Sequence, residues 1–185
     1  MESVWRIARS VPGVASTDSR LSVEREVSAL FAELRAPLLR YMHSLGLSVS
    51  DGEDVVQEVF LQLFRHLAAG KPRDNLRGWV FRVGHNLARK HRQRQLRQAP
   101  GGVVELEMTD EASNPEEQIR NLALQRRLMS VVQALSERDR QCLVLRAEGL
   151  RYREIAEALG MSLGAVASSL SRSLGKLAIT GERYE

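Results

Sequence analysis

Residues 51–67 of this chain, DGEDVVQEVFLQLFRHL, carry apolar side chains at the spacing of one helix face: Val56, Val59, Phe60, Leu63 and Leu67. Ser50 and Glu53 have the spacing of a capping box, which predicts that the helix begins there. The opposite face carries Asp54, Gln57, Glu58 and Gln62. Periodicity alone allows two interpretations of this polar face, a solvated surface or a contact surface.

The composition of the rest of the chain also favours helices. Only 5% of the 185 residues are aromatic, and most apolar residues are Leu, Val and Ala, a balance that suits helix better than strand. We therefore expect an all-α fold. It should consist of two small helical domains joined by a flexible linker, and the second domain should contain a helix-turn-helix.

Charge is distributed unevenly along the chain. Residues 71–97 include nine Lys/Arg and one acid, whereas residues 101–117 include six acids and no base. The basic block predicts a phosphate-rich partner and the acidic stretch predicts a linker, although both segments could simply be solvated. The predicted segments are a disordered tail at 1–22, a helical domain at 23–97, a linker at 98–116 and a second helical domain at 117–180.

Two further helices are predicted in the first domain. One runs from 23 to 45, with Pro37 inside it and Gly46 at its end, and the other follows the turn-like residues 71–75. The apolar stripe of the latter is Leu76, Val80, Val83 and Leu87. Its polar face is Arg82, Asn86, Arg89 and Arg92. Trp79 and Phe81 lie among the basic residues, a mixture that suits single-stranded DNA, unless Trp79 packs in the core.

The second domain is predicted from its helix starts and stops. Asn114 with Pro115 marks one helix start, and Ser136 with Asp139 marks another. Residues 152–174 have the pattern of a helix-turn-helix whose inner faces hold Ile155, Ala156, Leu159, Val166, Leu170 and Leu174. The second of these helices would expose Leu163, Gly164, Ala165, Ala167, Ser168, Ser169, Ser171 and Arg172 to a DNA major groove. A helix-turn-helix used only for protein contacts is the alternative.

DGEDVVQEVF at 51–60, followed by LRGWVFRVGHNLA at 76–88, resembles region 2 of bacterial sigma factors of the extracytoplasmic-function type. The resemblance implies that the first helix docks on the clamp coiled coil of RNA polymerase through Asp54, Gln57 and Glu58. It also implies that the second helix and its preceding loop recognise the minus-ten promoter element and capture flipped non-template bases. The residues at or near that DNA would be Asn75, Arg77, Trp79, Arg82, Asn86, Arg89 and Lys90.

LSERDRQCLVLRAEGLRYREIAEALGMSLGAVASSLSRSLGKL at 135–177 is similar to region 4 of the same family, which binds the minus-thirty-five element. By this resemblance the recognition helix would contact DNA through Ser162, Ala165, Ala167, Ser168, Ser169, Arg172 and Lys176. The family often has basic residues where this chain has Ala167, Ser169 and Ser173. Fewer phosphate contacts, and so weaker binding of the upstream element, are therefore expected.

Other features argue against an enzyme or a metal protein. The four histidines lie far apart in the sequence and no catalytic pattern stands out, so no cofactor is expected. The single cysteine, Cys142, lies in an apolar stretch, which predicts core packing and a reducing cytoplasmic compartment. No apolar run has the length of a membrane span.

The predicted function is therefore that of a non-enzymatic sigma factor whose partners are core RNA polymerase and promoter DNA. Many relatives are held by an anti-sigma protein, and no residue of this chain identifies one. A free-standing helix-turn-helix regulator is the alternative function, although duplex binding alone needs no base-stacking surface. A recombinase would need a nucleophile or a carboxylate cluster, for which the sequence gives no signal.

Overall fold

The computed structural model describes residues 17–98 and 126–182, and side chains at 19–95 and 126–180. All regular structure in these ranges is helical: α1 (Thr17–Ser44), α2 (Val49–Ala68), α3 (Leu76–Gln98), α4 (126–133), α5 (Glu137–Ala147), α6 (Tyr152–Leu159) and α7 (Leu163–Glu182). The chain divides into two compact units, Met1–Val104 and Glu105–Glu185. The predicted all-α fold is confirmed.

The first unit is built from α1, α2 and α3, each of which packs on the other two. Apolar side chains recur every three or four residues on the facing sides of these helices, so that each contributes a continuous buried stripe. Phe31 of α1 meets Phe60 of α2 edge to face, with ring centroids 4.9 Å apart. The largest side chains with no more than 2% exposure here are Leu34, Leu38, Tyr41, Met42, Leu47, Phe60, Leu63, Phe64, Leu67 and Phe81.

Helix α3 lies close to α1 because its inward stripe contains small residues. A Cβ added at Gly84 would lie 2.9 Å from Leu38 Cδ1, closer than a real Cβ contact allows. Next to it, the His85 ring is buried, and its Nδ1 lies 2.8 Å from the Tyr41 hydroxyl. Glycine at this position therefore lets the two helices approach each other without displacing the Leu38 side chain.

The buried stripe of α3 differs from the predicted one. Val80, Phe81, Gly84, His85 and Ala88 face the core, whereas the predicted Leu76, Val83 and Leu87 are only half-buried. Phe81 is fully buried beside Tyr41, so its predicted place among the DNA-facing residues is wrong. The physical reason is that Gly84, His85 and Ala88 form part of the inward stripe. A pattern based on large apolar residues does not identify such positions as buried.

Helix boundaries correct two further predictions. Helix α1 begins at Thr17, so residues 17–22 are helical and do not belong to a disordered tail; the first buried side chains of the helix, Val23 and Val27, follow this segment. The N-cap of α2 is Ser48, whose side chain accepts a hydrogen bond from the Asp51 amide, and Ser50 lies inside the helix. Residues 1–16, the linker beyond Gln98 and the helix start at Asn114 lie outside the described residues.

The second unit contains the predicted helix-turn-helix. Helix α6 ends at Gly160, which has the left-handed φ of +64° that glycine adopts readily, and α7 begins three residues later. The fully buried side chains of the second unit include Cys142, Leu145, Leu150, Ile155 and Val166, which confirms the predicted core position of Cys142. Leu174 was predicted to face inward, but it is 50% exposed, whereas its neighbour Ser173 is fully buried, so the serine takes the inward side of α7 at this turn.

Asp139 links α5 to α7. Its carboxylate accepts hydrogen bonds from Ser169 Oγ at 2.5 Å and from Arg172 Nη2 at 3.0 Å. The bond from Ser169 is the main reason that the pKa of Asp139 lies below its ordinary value. Ser169 is only 1% exposed, and one turn later Ser173 is fully buried. This carboxylate at the start of α5 therefore acts together with the buried Val166 and Leu170 to fix the rotation of α7 about its own axis.

We expect Asp139→Asn to lower the stability of the second unit by about 1–3 kcal/mol at neutral pH, because the charged acceptor of the Ser169 and Arg172 hydrogen bonds becomes a neutral amide oxygen. A carboxyl with a depressed pKa contributes stability above its unfolded pKa, here 3.8, and loses it as the pH falls through the lower folded value. Variant and parent should therefore converge below that range.

Hydrogen exchange of the α5 and α7 amides, measured at neutral and acid pH, would test this. The exposed Asp74→Asn is a matched control. Equal protection of these amides from hydrogen exchange in the parent and in Asp139→Asn at neutral pH would contradict the role given to Asp139.

Candidate nucleic-acid interface

The outer face of α3 carries an aromatic ring among cations. Trp79, Arg82, Asn86 and Lys90 occupy positions i, i+3, i+7 and i+11, which lie on one side of a helix, and Arg89 flanks them. Asn86, Arg89 and Lys90 are exposed, while Trp79 and Arg82 are half-buried. The structure therefore brings these five predicted DNA-binding residues together on the side of α3 that faces away from the core.

Trp79 lies at the edge of the helical unit. Its ring is tilted by 44° against the ring of His66, and the two centroids are 4.9 Å apart. His66 belongs to the last turn of α2, and its Nε2 lies 2.9 Å from the carbonyl oxygen of Pro72. Part of the indole thus remains accessible, which differs from the alternative of a Trp79 packed wholly in the core.

The loop before α3 is organised around Asn75. This residue has a φ of +53°, and its side-chain oxygen accepts a hydrogen bond from the Gly78 amide at 3.2 Å. A Cβ on Gly78 would collide with the Asn75 amide, so the cap requires glycine there. Asn75 was predicted to lie near promoter DNA, and the structure gives its side chain a capping contact at the start of α3.

Arg77 lies apart from the outer face of α3. Its Nη1 is 3.4 Å from Glu33 of α1, on the opposite side of the helix from Lys90. Arg73 of the preceding loop is similarly tied to α1, with its Nε 3.1 Å from Glu26. These two cations join the loop and the first turn of α3 to α1.

The polar face of α2 contains the predicted polymerase contacts. Asp54 and Gln57 are exposed, and Glu58 is half-buried, accepting a hydrogen bond from Gln62 Nε2 at 2.9 Å. The spacing i, i+3 and i+4 puts them on one side of the helix, away from the buried Val56 and Leu63. They form a polar surface with net negative charge.

The exposed face of α7 is made of small residues with cations at one end. Ser162 caps the helix by accepting a hydrogen bond from the Ala165 amide at 3.2 Å. The other exposed predicted residues are Ala165, Ala167, Ser168, Arg172 and Lys176. The prediction that Ser169 is exposed is wrong, because its hydroxyl turns inward to Asp139. Cations at positions 169 and 173 would thus point into the unit rather than towards DNA.

Sequence reasoning missed a basic cluster at the start of α6. Arg151, Tyr152 and Arg153 are all exposed, and the guanidinium of Arg146 lies 5.8 Å from the centre of the Tyr152 ring. The sequence prediction for this segment used only the apolar inner face, with Ile155 and Ala156. It therefore did not identify the three arginines around an aromatic residue on the outside. The second unit therefore has cations beside the recognition helix as well as on it.

Two features are absent from the described part of the chain. No helix in that part has both the length and the apolar character needed to cross a membrane. Among the same residues there is no group of three or more His, Cys, Asp or Glu side chains with the geometry of a metal site.

Comparison with known proteins relates both units to one family. Residues 30–98 match Sigma-70 region 2, and residues 125–177 match Sigma-70, region 4. The RNA polymerase sigma factor CnrH of Cupriavidus metallidurans is 31% identical over 163 residues, which cover 83% of this chain and 85% of that protein. The ECF RNA polymerase sigma-E factor of Escherichia coli is 29% identical over 152 residues, covering 74% of this chain and 80% of that protein.

Solved structures show the same fold. CnrH in complex with the cytosolic domain of CnrY aligns with a TM-score of 0.57 and 23% identity, over 90% of this chain and 99% of that one. The sigma factor RpoE in complex with the anti-sigma factor NepR from Bartonella quintana aligns with a TM-score of 0.62 and 19% identity, over 85% and 97%. The family matches and the sequence identity to these relatives show that the present chain belongs to the extracytoplasmic-function group of RNA polymerase sigma factors, which direct transcription initiation.

Proposed function

We propose that the two units divide promoter recognition between them. Helix α2 docks on core RNA polymerase, the outer face of α3 captures the melted non-template strand of the minus-ten element, and α7 binds the duplex of the minus-thirty-five element. The observation that carries this proposal is the face of α3 on which Trp79 lies among Arg82, Asn86 and Lys90.

Strand capture follows from the chemistry of that face. The accessible part of the Trp79 indole offers a stacking surface for an unpaired base, while the exposed Arg89 and Lys90 can neutralise backbone phosphates. The Asn86 amide can donate to or accept from a base edge. Stacking contributes roughly 1 to 3 kcal/mol per base, comparable with the cost of unstacking one base pair step. Capture can therefore shift the balance towards an open promoter without any catalytic group in this chain.

Duplex binding by α7 depends on close approach more than on charge. Ala165, Ala167 and Ser168 are small, so the helix backbone can come near the base edges and the phosphate backbone. Arg172 and Lys176 add cations at the far end of this face. In helix-turn-helix proteins the first helix crosses the DNA backbone, a position in which Arg151 and Arg153 would meet phosphates. These two arginines would compensate for the weakly basic recognition helix.

Docking on polymerase is assigned to the negatively charged side of α2. Asp54 and Gln57 are exposed, so neither is committed to packing within the unit. Carboxylates on a rigid helix suit a basic partner surface, and such pairs steer association as well as hold it. The protein would work in the cytoplasm, where its polymerase and DNA partners are.

Regulation by an anti-sigma protein is part of the proposal. CnrH and RpoE, which share this fold, have each been solved with a bound protein, the cytosolic domain of CnrY and the anti-sigma factor NepR. We propose that a protein of this class binds the present chain and competes with core polymerase for it.

We expect the double charge reversal Asp54→Lys/Glu58→Lys to weaken binding to core polymerase by at least tenfold, because the partner surface would then face two cations. Pull-down and titration with core polymerase would measure the change, and circular dichroism would establish that helicity is retained. Asp54→Lys can also be compared singly with Glu24→Lys on α1, which adds the same charge elsewhere on the unit. Unchanged binding by the double variant would remove the docking assignment.

We expect Trp79→Ala to impair promoter opening by about fivefold or more while leaving initial duplex binding nearly intact, since the lost base stack is worth roughly 1 to 3 kcal/mol.

Arg172→Ala should impair initial duplex binding more than promoter opening. It should weaken the closed complex and lower its salt dependence by about one counterion, because it removes a cation next to the phosphate backbone.

Permanganate reactivity of melted thymines measures the opening step, and salt-titrated binding of holoenzyme to closed promoter DNA measures the duplex step. Normal melting by the Trp79→Ala holoenzyme at saturating concentration would show that the indole does not capture the strand.

A further inference from the structure

We propose that His66, on α2, is a positioning residue for strand capture: it holds the loop 69–75 and the Trp79 ring in the arrangement that receives the unpaired strand. This inference rests on the proposed function of Trp79. His66 lies outside the stretches on which the family resemblance rests and is not itself expected to reach DNA.

The loop is tied to His66 through both main chain and side chain. The Pro72 carbonyl oxygen can only accept, so the His66 Nε2 that lies 2.9 Å from it carries the hydrogen of this bond. The Lys71 amide also donates to the His66 carbonyl oxygen at 3.2 Å. Two consecutive loop residues are thereby fixed to the last turn of α2, while their side chains remain exposed.

The same imidazole supports the indole. The rings of His66 and Trp79 have centroids 4.9 Å apart at an angle of 44°, a tilted arrangement that limits the rotation of the tryptophan about its side-chain bonds. The Trp79 amide, in turn, donates to the Asn75 carbonyl oxygen at 3.0 Å, which joins the main chain of Trp79 to the end of the loop. One side chain on α2 therefore contacts both parts of the capture surface.

The other end of the loop is held independently of His66. Arg73 pairs with Glu26 of α1, and the Asn75 side chain caps α3 at Gly78. Without the His66 side chain, the loop would stay attached at residues 73–75 and through the Lys71 amide, but the Pro72 carbonyl oxygen would lose its imidazole partner. A surface ordered before DNA arrives avoids the entropic cost of ordering it on binding, so its loss should lower the fraction of open complexes.

Three substitutions separate the two contacts of His66. His66→Ala removes both, His66→Phe retains a ring against Trp79, and His66→Gln retains a donor of similar reach to Nε2. We expect His66→Ala holoenzyme to form open complexes about fivefold less well in permanganate footprinting, with closed-complex affinity changed by less than twofold. His66→Phe and His66→Gln should each restore part of the opening. His43→Ala, which alters a half-buried histidine near the opposite end of α2, is the matched control and should open promoters normally.

Acrylamide quenching of Trp79, in a background with Trp5→Phe, supplies a second readout that a purely structural role would not produce. His66→Ala should make the indole more accessible without changing the thermal melting of the unit by more than a few degrees. His66→Ala that opens promoters like the parent, while Trp79→Ala does not, would overturn this inference and leave the proposed function intact.

Two other outcomes have different meanings. Normal opening by both His66→Ala and Trp79→Ala would overturn the proposed function together with the inference. A His66→Ala defect that affects closed binding and opening equally, is accompanied by loss of folded protein and is not relieved by His66→Phe or His66→Gln would also overturn the inference, because it would assign His66 to stability alone.

Discussion

The close packing of α3 against α1 at Gly84 is the constraint on which the outer face of α3 depends. This face carries Trp79, Arg82, Asn86 and Lys90, and we have proposed that it captures the unpaired strand. The approach of Leu38 to Gly84, where an added Cβ would lie 2.9 Å from Leu38 Cδ1, and the hydrogen bond between the buried His85 ring and Tyr41 both favour the observed rotation of α3 about its axis. A shift of one residue would turn the helix by about 100° and carry Arg82 towards the core. The outward position of Trp79 is therefore a consequence of what the other side of α3 buries.

In the second unit, polar contacts contribute to the rotation of α7 about its axis. Asp139 accepts hydrogen bonds from Ser169 and Arg172, and these bonds add to the burial of Val166 and Leu170 in setting which side of α7 faces solvent. Small residues then lie on the solvent side of α7 together with Arg172, whose guanidinium is oriented by Asp139. The two units thus offer different chemistry, aromatic and basic in one and small and hydroxylic in the other, which matches the different demands of single-stranded and duplex DNA.

Sequence reasoning worked where large apolar residues define a helix face and failed where smaller or polar residues do. The stripe of α2, with Val56, Val59, Phe60, Leu63 and Leu67, was predicted correctly because each member is unambiguously hydrophobic. On α3 the inward Gly84 and His85 concealed the true stripe, so Phe81 was placed on the wrong side. The burial of Ser169 could not be read from its neighbours, because the partner that makes it favourable, Asp139, is 30 residues away in the chain.

Transcription with reconstituted holoenzyme tests the central claim most directly. Core RNA polymerase is incubated with the full chain and a set of promoter fragments, and run-off transcripts are measured with and without the chain. The account predicts promoter-specific transcripts only when chain and core polymerase are both present, with co-purification of the two proteins in the absence of DNA. Tight operator binding by the chain alone, with no association with core polymerase and no effect on start-site choice, would contradict it and favour a free-standing regulator.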